Sequence, residues 1–179
     1  GAAVALRFAA AQPERDEKLV LVNPIAFDAI PGEDVRSLQK NTARYALRVS
    51  RGVMGAAPLM RELLQKSVAD PAHMPEPLVA RYTAPYVGQE GVNHLLKISR
   101  FVENDDLEEV NLRALPHPTL VVWGDKDPWV DGRVADQLAD TIGGSKLVHL
   151  PNAGRLVPED ATDTLTNLIL DFIGARGSG

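Results

Sequence analysis

The residues able to do chemistry gather at three turns and in four histidines. Gly124-Asp125-Lys126-Asp127-Pro128 places two carboxylates in an acidic turn directly after the apolar run Thr119-Leu120-Val121-Val122-Trp123. Asn23 closes the run Lys18-Leu19-Val20-Leu21-Val22, and Asn152-Ala153-Gly154-Arg155 follows Lys146-Leu147-Val148-His149-Leu150. A carboxylate at such a turn can cap the next helix or orient an acid–base partner, and its residue type alone leaves both readings open. Among the candidate bases, His149 lies within a strand run and reads as a strand residue. His117 precedes the run before Asp125, at that strand's amino end, while His73 and His94 fall in a helical middle region. None is placed as a base. The sequence has no Cys, which removes disulfides, thiolate metal sites and a Cys nucleophile; no cofactor and no metal is expected.

The elements that position these residues follow from apolar periodicity. Three runs without alternation predict parallel strands covered on both faces, ending at Asn23, Gly124 and Pro151. In open parallel sheets ligands bind beyond the strands' carboxyl ends, where all three turns lie. Val134, Leu138 and Ile142 recur at spacing four and predict a helix from Gly132 to Ile142, completing a βαβ unit. Val4, Leu6, Phe8 and the alanines around them predict a helix buried on nearly every side and ended by Pro13. Leu165, Leu168, Ile169, Phe172 and Ile173 predict a last helix, with Pro158-Glu159-Asp160 as its amino-terminal signal. Between the first two strands the pattern turns helical: Leu59, Met60, Leu63, Leu64 and Val68 make one stripe, Val92, Leu95, Leu96 and Val102 another, with prolines between them. An all-helical insertion is expected there.

The chain has 179 residues, 45% hydrophobic and 24% charged, enough to bury a core as one domain with an inserted subdomain. A net charge of −5 argues against nucleic acid and anionic membranes as partners. No apolar run approaches the roughly eighteen residues of a membrane span, and a soluble, cytoplasmic protein is expected. Gly1 to Ala11 is apolar, but Arg7 interrupts it and no basic leader precedes it; beginning inside a helix, the chain reads as a fragment. Gly177-Ser178-Gly179 reads as a flexible tail.

Three stretches, in order, resemble the carboxyl-terminal part of a capped α/β-hydrolase. Gly1 to Ala9 is similar to the end of the family's nucleophile elbow and its helix, Pro118 to Pro128 to the acid strand and turn, and Leu150 to Asp160 to the histidine loop. The resemblance implies a parallel-sheet hydrolase core at 1–30 and 116–175, a helical cap at 31–115 and a tail at 176–179. It implies Asp127 as the acid, a nucleophile two residues before Gly1, and a triad incomplete within this chain, because Arg155 stands at the His position. Arg keeps its proton and only donates, so it cannot take the nucleophile's proton as imidazole does. Asp127 and Arg155 are expected to meet, and Asp28 is the alternative acid. Tyr82, Tyr86, Leu95, Met54 and Met60 of the cap are expected as apolar pocket walls. Implied partners are a small-molecule substrate and, against the first strand or its neighbour, the amino-terminal half of the hydrolase or a second copy. The rival expectation is a non-catalytic binding or interaction protein on the same fold.

Overall fold

The computed structural model describes residues 1–15, 17–30, 35–36, 39–51, 55–101 and 107–174. The three apolar runs form strands β1 (Leu19–Val22), β2 (Thr119–Gly124) and β3 (Lys146–Leu150). The main helices are α1 (Ala2–Ala11), α2 (Asn41–Arg51), α3 (Ala57–Lys66), α4 (Glu76–Thr83), α5 (Gly88–Ile98), α6 (Arg133–Thr141), α7 (Val157–Asp160) and α8 (Thr162–Ile173). The strands make one parallel sheet in the order β1-β2-β3, with Leu19 opposite Thr119 and Gly124 opposite Leu150.

Alternate residues of a strand point to opposite faces, and here both faces are covered. Leu19 and Leu21 pack with Leu6 and Ala9 of α1 and with Val134 and Leu138 of α6. Val121 and Trp123 meet Ala135 on the same helix. The residues between them, Leu120 and Val122, join Val157 of α7 and Leu165 of α8 on the other side. Covering on two sides is why all six residues of β2 are buried, whereas β3, expected to be covered likewise, lies at the sheet edge and buries none of its residues, with Lys146 and His149 exposed.

Two helical segments also depart from the sequence reading. α1 is expected to be buried all round, yet only Leu6 and Ala9 are buried along it, while Val4 is 71% and Phe8 44% exposed. The layer beneath α1 covers one stripe, and the apolar residues of the opposite stripe face outward. The last helix forms where expected, but the Pro158-Glu159-Asp160 segment before it is a short helix of its own, set off at Ala161, whose φ of −142° leaves the helical region. The carboxylate of Asp160 caps neither helix and instead bonds backbone N–H groups of Ala69 and Gly154.

Between β1 and β2 the described residues are helical, in α2 to α5 and several single turns. One apolar cluster joins Ala56, Val92, Leu95 and Leu96 with Met60 and Tyr86. A second joins Val68, Met74 and Val79 with Leu156, which belongs to the loop after β3. The core of the helical segment therefore continues into that loop.

Candidate active site

Asp127 sits in the turn after β2 with its side chain 1% exposed. One oxygen, Oδ1, accepts the backbone N–H of Trp129 at 2.9 Å and of Val130 at 3.3 Å, the Asx turn that the local sequence favours. The other, Oδ2, accepts Asn23 Nδ2 and Arg155 Nη1, each at 2.9 Å. Oδ1 thus closes a turn and does not cap α6, whose Arg133 N–H goes to Asp131, while Oδ2 makes the expected contact with Arg155. A carboxylate offers about four acceptor positions, and four donors occupy them.

Asn23 follows β1 and has a φ of +41°, in the left-handed region where Asn is tolerated better than most residues. That conformation turns the amide across the sheet end, where Oδ1 accepts the Gly124 N–H at 2.9 Å while Nδ2 reaches Asp127. Asn23 is 4% exposed. It thus ties the end of β1 to the end of β2 and fixes the acid's second oxygen. The sequence placed Asn23 at a strand end without giving it this role; a polar residue closing an apolar run beside a strand neighbour's acidic turn was the available signal.

Arg155 arrives from the loop after β3, its side chain 21% exposed. Two glycines permit the approach. A Cβ on Gly124 would lie 2.2 Å from the Gly154 carbonyl oxygen, and one on Gly154 would lie 2.7 Å from the Ser67 carbonyl oxygen. The backbone beyond α3 is thereby pressed against the Arg155 loop, and Leu156 N–H donates to that same Ser67 carbonyl at 3.0 Å. On the other side the Trp129 indole N–H donates to Ser67 Oγ at 2.8 Å. The Asp160 carboxyl is held below its usual range. Burial alone pushes it up, but His73 and the backbone N–H groups of Ala69, Gly154 and Asp70 outweigh that.

The other sequence candidates are spread out. Leu95 is buried in the helical segment's own core, with Met60 and Tyr86 packed beside it, and the Tyr86 ring lies 6.0 Å from that of His94. Tyr82 donates its hydroxyl to Glu159 at 2.7 Å, on the side toward the Arg155 loop. Met54 lies outside the described residues. Asp28 is exposed in a single turn after β1, beside a cavity of about 430 Å3 lined by Phe27, Leu107, Glu108, Leu112 and Arg113. Of the histidines, His117 is buried at the amino end of β2 and contacts the Pro13 carbonyl at 3.0 Å. His149 Nδ1 lies 2.6 Å from Asp125 and Nε2 3.4 Å from Asp136; the Asp125 hydrogen bond raises its pKa most, burial opposes, and the Asp125 charge and Asp136 add to the rise. His73 faces Asp160 at 2.8 Å. Among the described residues no group of three or more His, Asp or Glu is arranged to hold a metal ion.

The fold that brings these two turns together has counterparts among solved proteins. An α/β-hydrolase fold protein from Burkholderia ambifaria superposes with a TM-score of 0.79 at 26% identity, over 96% of this chain and 62% of its own. The chain has the fold of the carboxyl-terminal portion of an α/β-hydrolase. No family model matches it. Among curated relatives, the uncharacterized hydrolase YugF of Bacillus subtilis is 29% identical over 115 residues, 64% of this chain and 41% of its own length. The dihydrolipoyllysine-residue acetyltransferase component of an acetoin cleaving system from Pseudomonas putida is 27% identical over 177 residues, 97% of this chain and 43% of its own. The chain spans less than half the length of these two curated relatives. Among the described residues no helix is long and apolar enough to cross a membrane.

Proposed function

We propose that this chain carries the acid and the helical cap of an α/β-hydrolase that cleaves an ester or related bond in a small, largely apolar substrate, with the nucleophile outside the chain. The observation that carries the reading is Asp127: a buried carboxylate at the carboxyl end of the middle strand, with Oδ2 aimed at the side chain brought by the loop after the last strand. In acyl-transfer chemistry such an acid orients an imidazole and stabilises the cation it becomes on taking the nucleophile's proton. Arg155 occupies the imidazole's place and accepts no proton. The chain with Arg155 is therefore expected to leave esters intact.

The test combines the chain with an amino-terminal hydrolase portion bearing the elbow nucleophile and measures hydrolysis of a short-chain chromogenic ester. Four proteins are compared: the sequence as it stands, Arg155→His, Asp127→Asn and the double variant. Arg155→His alone is expected to turn over substrate, and adding Asp127→Asn is expected to reduce the rate by several orders of magnitude. Equal turnover with Arg155 and with His at this position refutes the role given to it. Activity indifferent to Asp127 moves the acid role to Asp28.

A second reading, a non-catalytic binding protein, is favoured by the Asp127–Arg155 contact itself, which fills the acid's acceptor positions with donors. Its outcome in the same assay is no turnover by any of the four proteins, with anion or carbonyl binding that Arg155→His abolishes. Similarity to an acetyltransferase component over nearly the whole chain supports adding an alcohol or thiol acceptor, because transfer and hydrolysis differ only in what receives the acyl group. The substrate walls proposed are Tyr82, Tyr86, Leu95, Met54 and Met60. A cytoplasmic location belongs to the same proposal and is checked by cell fractionation.

A further inference from the structure

The Asp160 carboxylate is fully buried and serves neither of the helices that flank it. It ends the four-residue α7, and α8 begins without a side-chain cap. An acid at a helix's carboxyl end is disfavoured by the helix dipole, so local structure gives no reason for one here. Its partners come from elsewhere. Oδ2 accepts Ala69 N–H and Gly154 N–H, both at 2.8 Å, and Oδ1 accepts His73 Nδ1 at 2.8 Å and the Asp70 N–H at 3.5 Å. One carboxylate thus holds the segment following α3 and the residue before Arg155. Ser67, two residues before Ala69, binds the opposite loop: its hydroxyl accepts the Trp129 indole N–H, and Trp129 donates its backbone N–H to Asp127. The Ser67 carbonyl also accepts Leu156 N–H and lies against Gly154 so closely that any side chain there would collide with it.

We infer that Asp160 and Ser67 join the root of the helical segment, residues 67–73, to the loops of Asp127 and Arg155 as one mechanical unit, both acting as positioning residues for the site. Neither touches the Asp127–Arg155 pair; each acts through the backbone or indole that carries it. The inference holds whatever reaction the site supports, since it concerns how two loops and the cap root share a position. Displacement of the cap root is then felt at both loops together.

The test reads each perturbation on the far side of the joint, by amide exchange and indole NMR signals of the isotopically labelled full chain. Asp160→Asn is expected to speed exchange of the Ala69 and Gly154 amides about tenfold and to shift the Trp129 indole signal, which Asp160 does not touch, leaving the Trp123 indole in place. Ser67→Ala is expected to move the Trp129 indole directly and to speed exchange of the Gly154 amide about fivefold, although the Ser67 hydroxyl makes no contact with Gly154. Effects of Asp160→Asn that stop at Ala69 and Gly154, with an unmoved Trp129 indole, overturn the inference. Effects of Ser67→Ala that stop at Trp129 overturn it equally. Should Asp160→Asn fail to fold, the Ser67→Ala result decides alone.

Discussion

Asn23 shows how much of the site rests on side chains with no part in the chemistry. Its amide fills two buried positions at once, donating to Asp127 and accepting from Gly124. Asn23→Gly, which keeps the positive φ without strain, is expected to lower stability by about 2 kcal/mol through the loss of both hydrogen bonds. Asn23→Ala is expected to cost roughly 1 kcal/mol more, the penalty of a Cβ in the left-handed region; urea denaturation of the two variants separates these contributions. Equal losses would mean that the backbone relaxes out of that region. A different residue sets the pH response. His149 between Asp125 and Asp136 has its pKa raised in the folded state, so its stabilisation is complete below about pH 6.5, the ordinary imidazole value, and is lost as pH rises through the higher folded value. The thermal midpoint of the chain is accordingly expected to fall relative to that of His149→Asn as pH rises from 6 to 9. A constant difference between the two proteins would remove His149 from the account. Being partly exposed, the group is expected to contribute little.

At the scale of elements, the close approach of the β2 end, the Arg155 loop and the segment after α3 depends on Gly124 and Gly154. Gly154→Ala drives a methyl into the Ser67 carbonyl and is expected to destabilise by about 2 kcal/mol, with the Arg155 loop displaced. An unchanged denaturation midpoint would show that the contact is looser than described. These approaches also explain what the sequence discloses. A parallel strand covered on both faces must be apolar throughout, so β2 stands out as a run; β3 reads the same in sequence although it lies at the sheet edge with no buried residue, and Val134 and Leu138 mark α6 by spacing. The Asp127–Arg155 meeting was legible only through the order of three motifs resembling a known family, because nothing local to either residue points at the other. In sequence Asp160 reads as part of an amino-terminal helix signal, since acids favour that position; only the fold shows its partners to be Ala69, Gly154 and His73. The helical stripes had the same ambiguity. Apolar spacing identifies a covered face without telling a core from a pocket, and Leu95 lies in a core.

For the whole molecule, β1 is an edge of a three-stranded sheet, and the neighbouring α1 shows Val4 and Phe8 outward. An open edge beside exposed apolar side chains favours association. The proposed occupant of this side is an amino-terminal hydrolase portion, and the chain alone is expected to self-associate or unfold readily. A monodisperse, well-folded monomer near 19.4 kDa in sedimentation would refute that expectation, while a defined dimer would assign the place to a second copy. The same sheet joins strands at very unequal distances along the chain. β2 meets β3 with Leu120 opposite Lys146, whereas β1 meets β2 with Leu19 opposite Thr119, a hundred positions apart. Closing the longer loop costs about 1.2 kcal/mol more in chain entropy, before any benefit from ordering the helices inside it. The β2-α6-β3 unit is thus expected to nucleate folding and β1 to dock late, which predicts high φ-values for truncations at Val121 and Leu138 and low ones at Leu19 and Leu21. On that itinerary the Asn23–Asp127 bond is among the last to form, so the acid's donors arrive at different moments: those of the Asx turn with the nucleus, the cross-sheet amide only at the final docking.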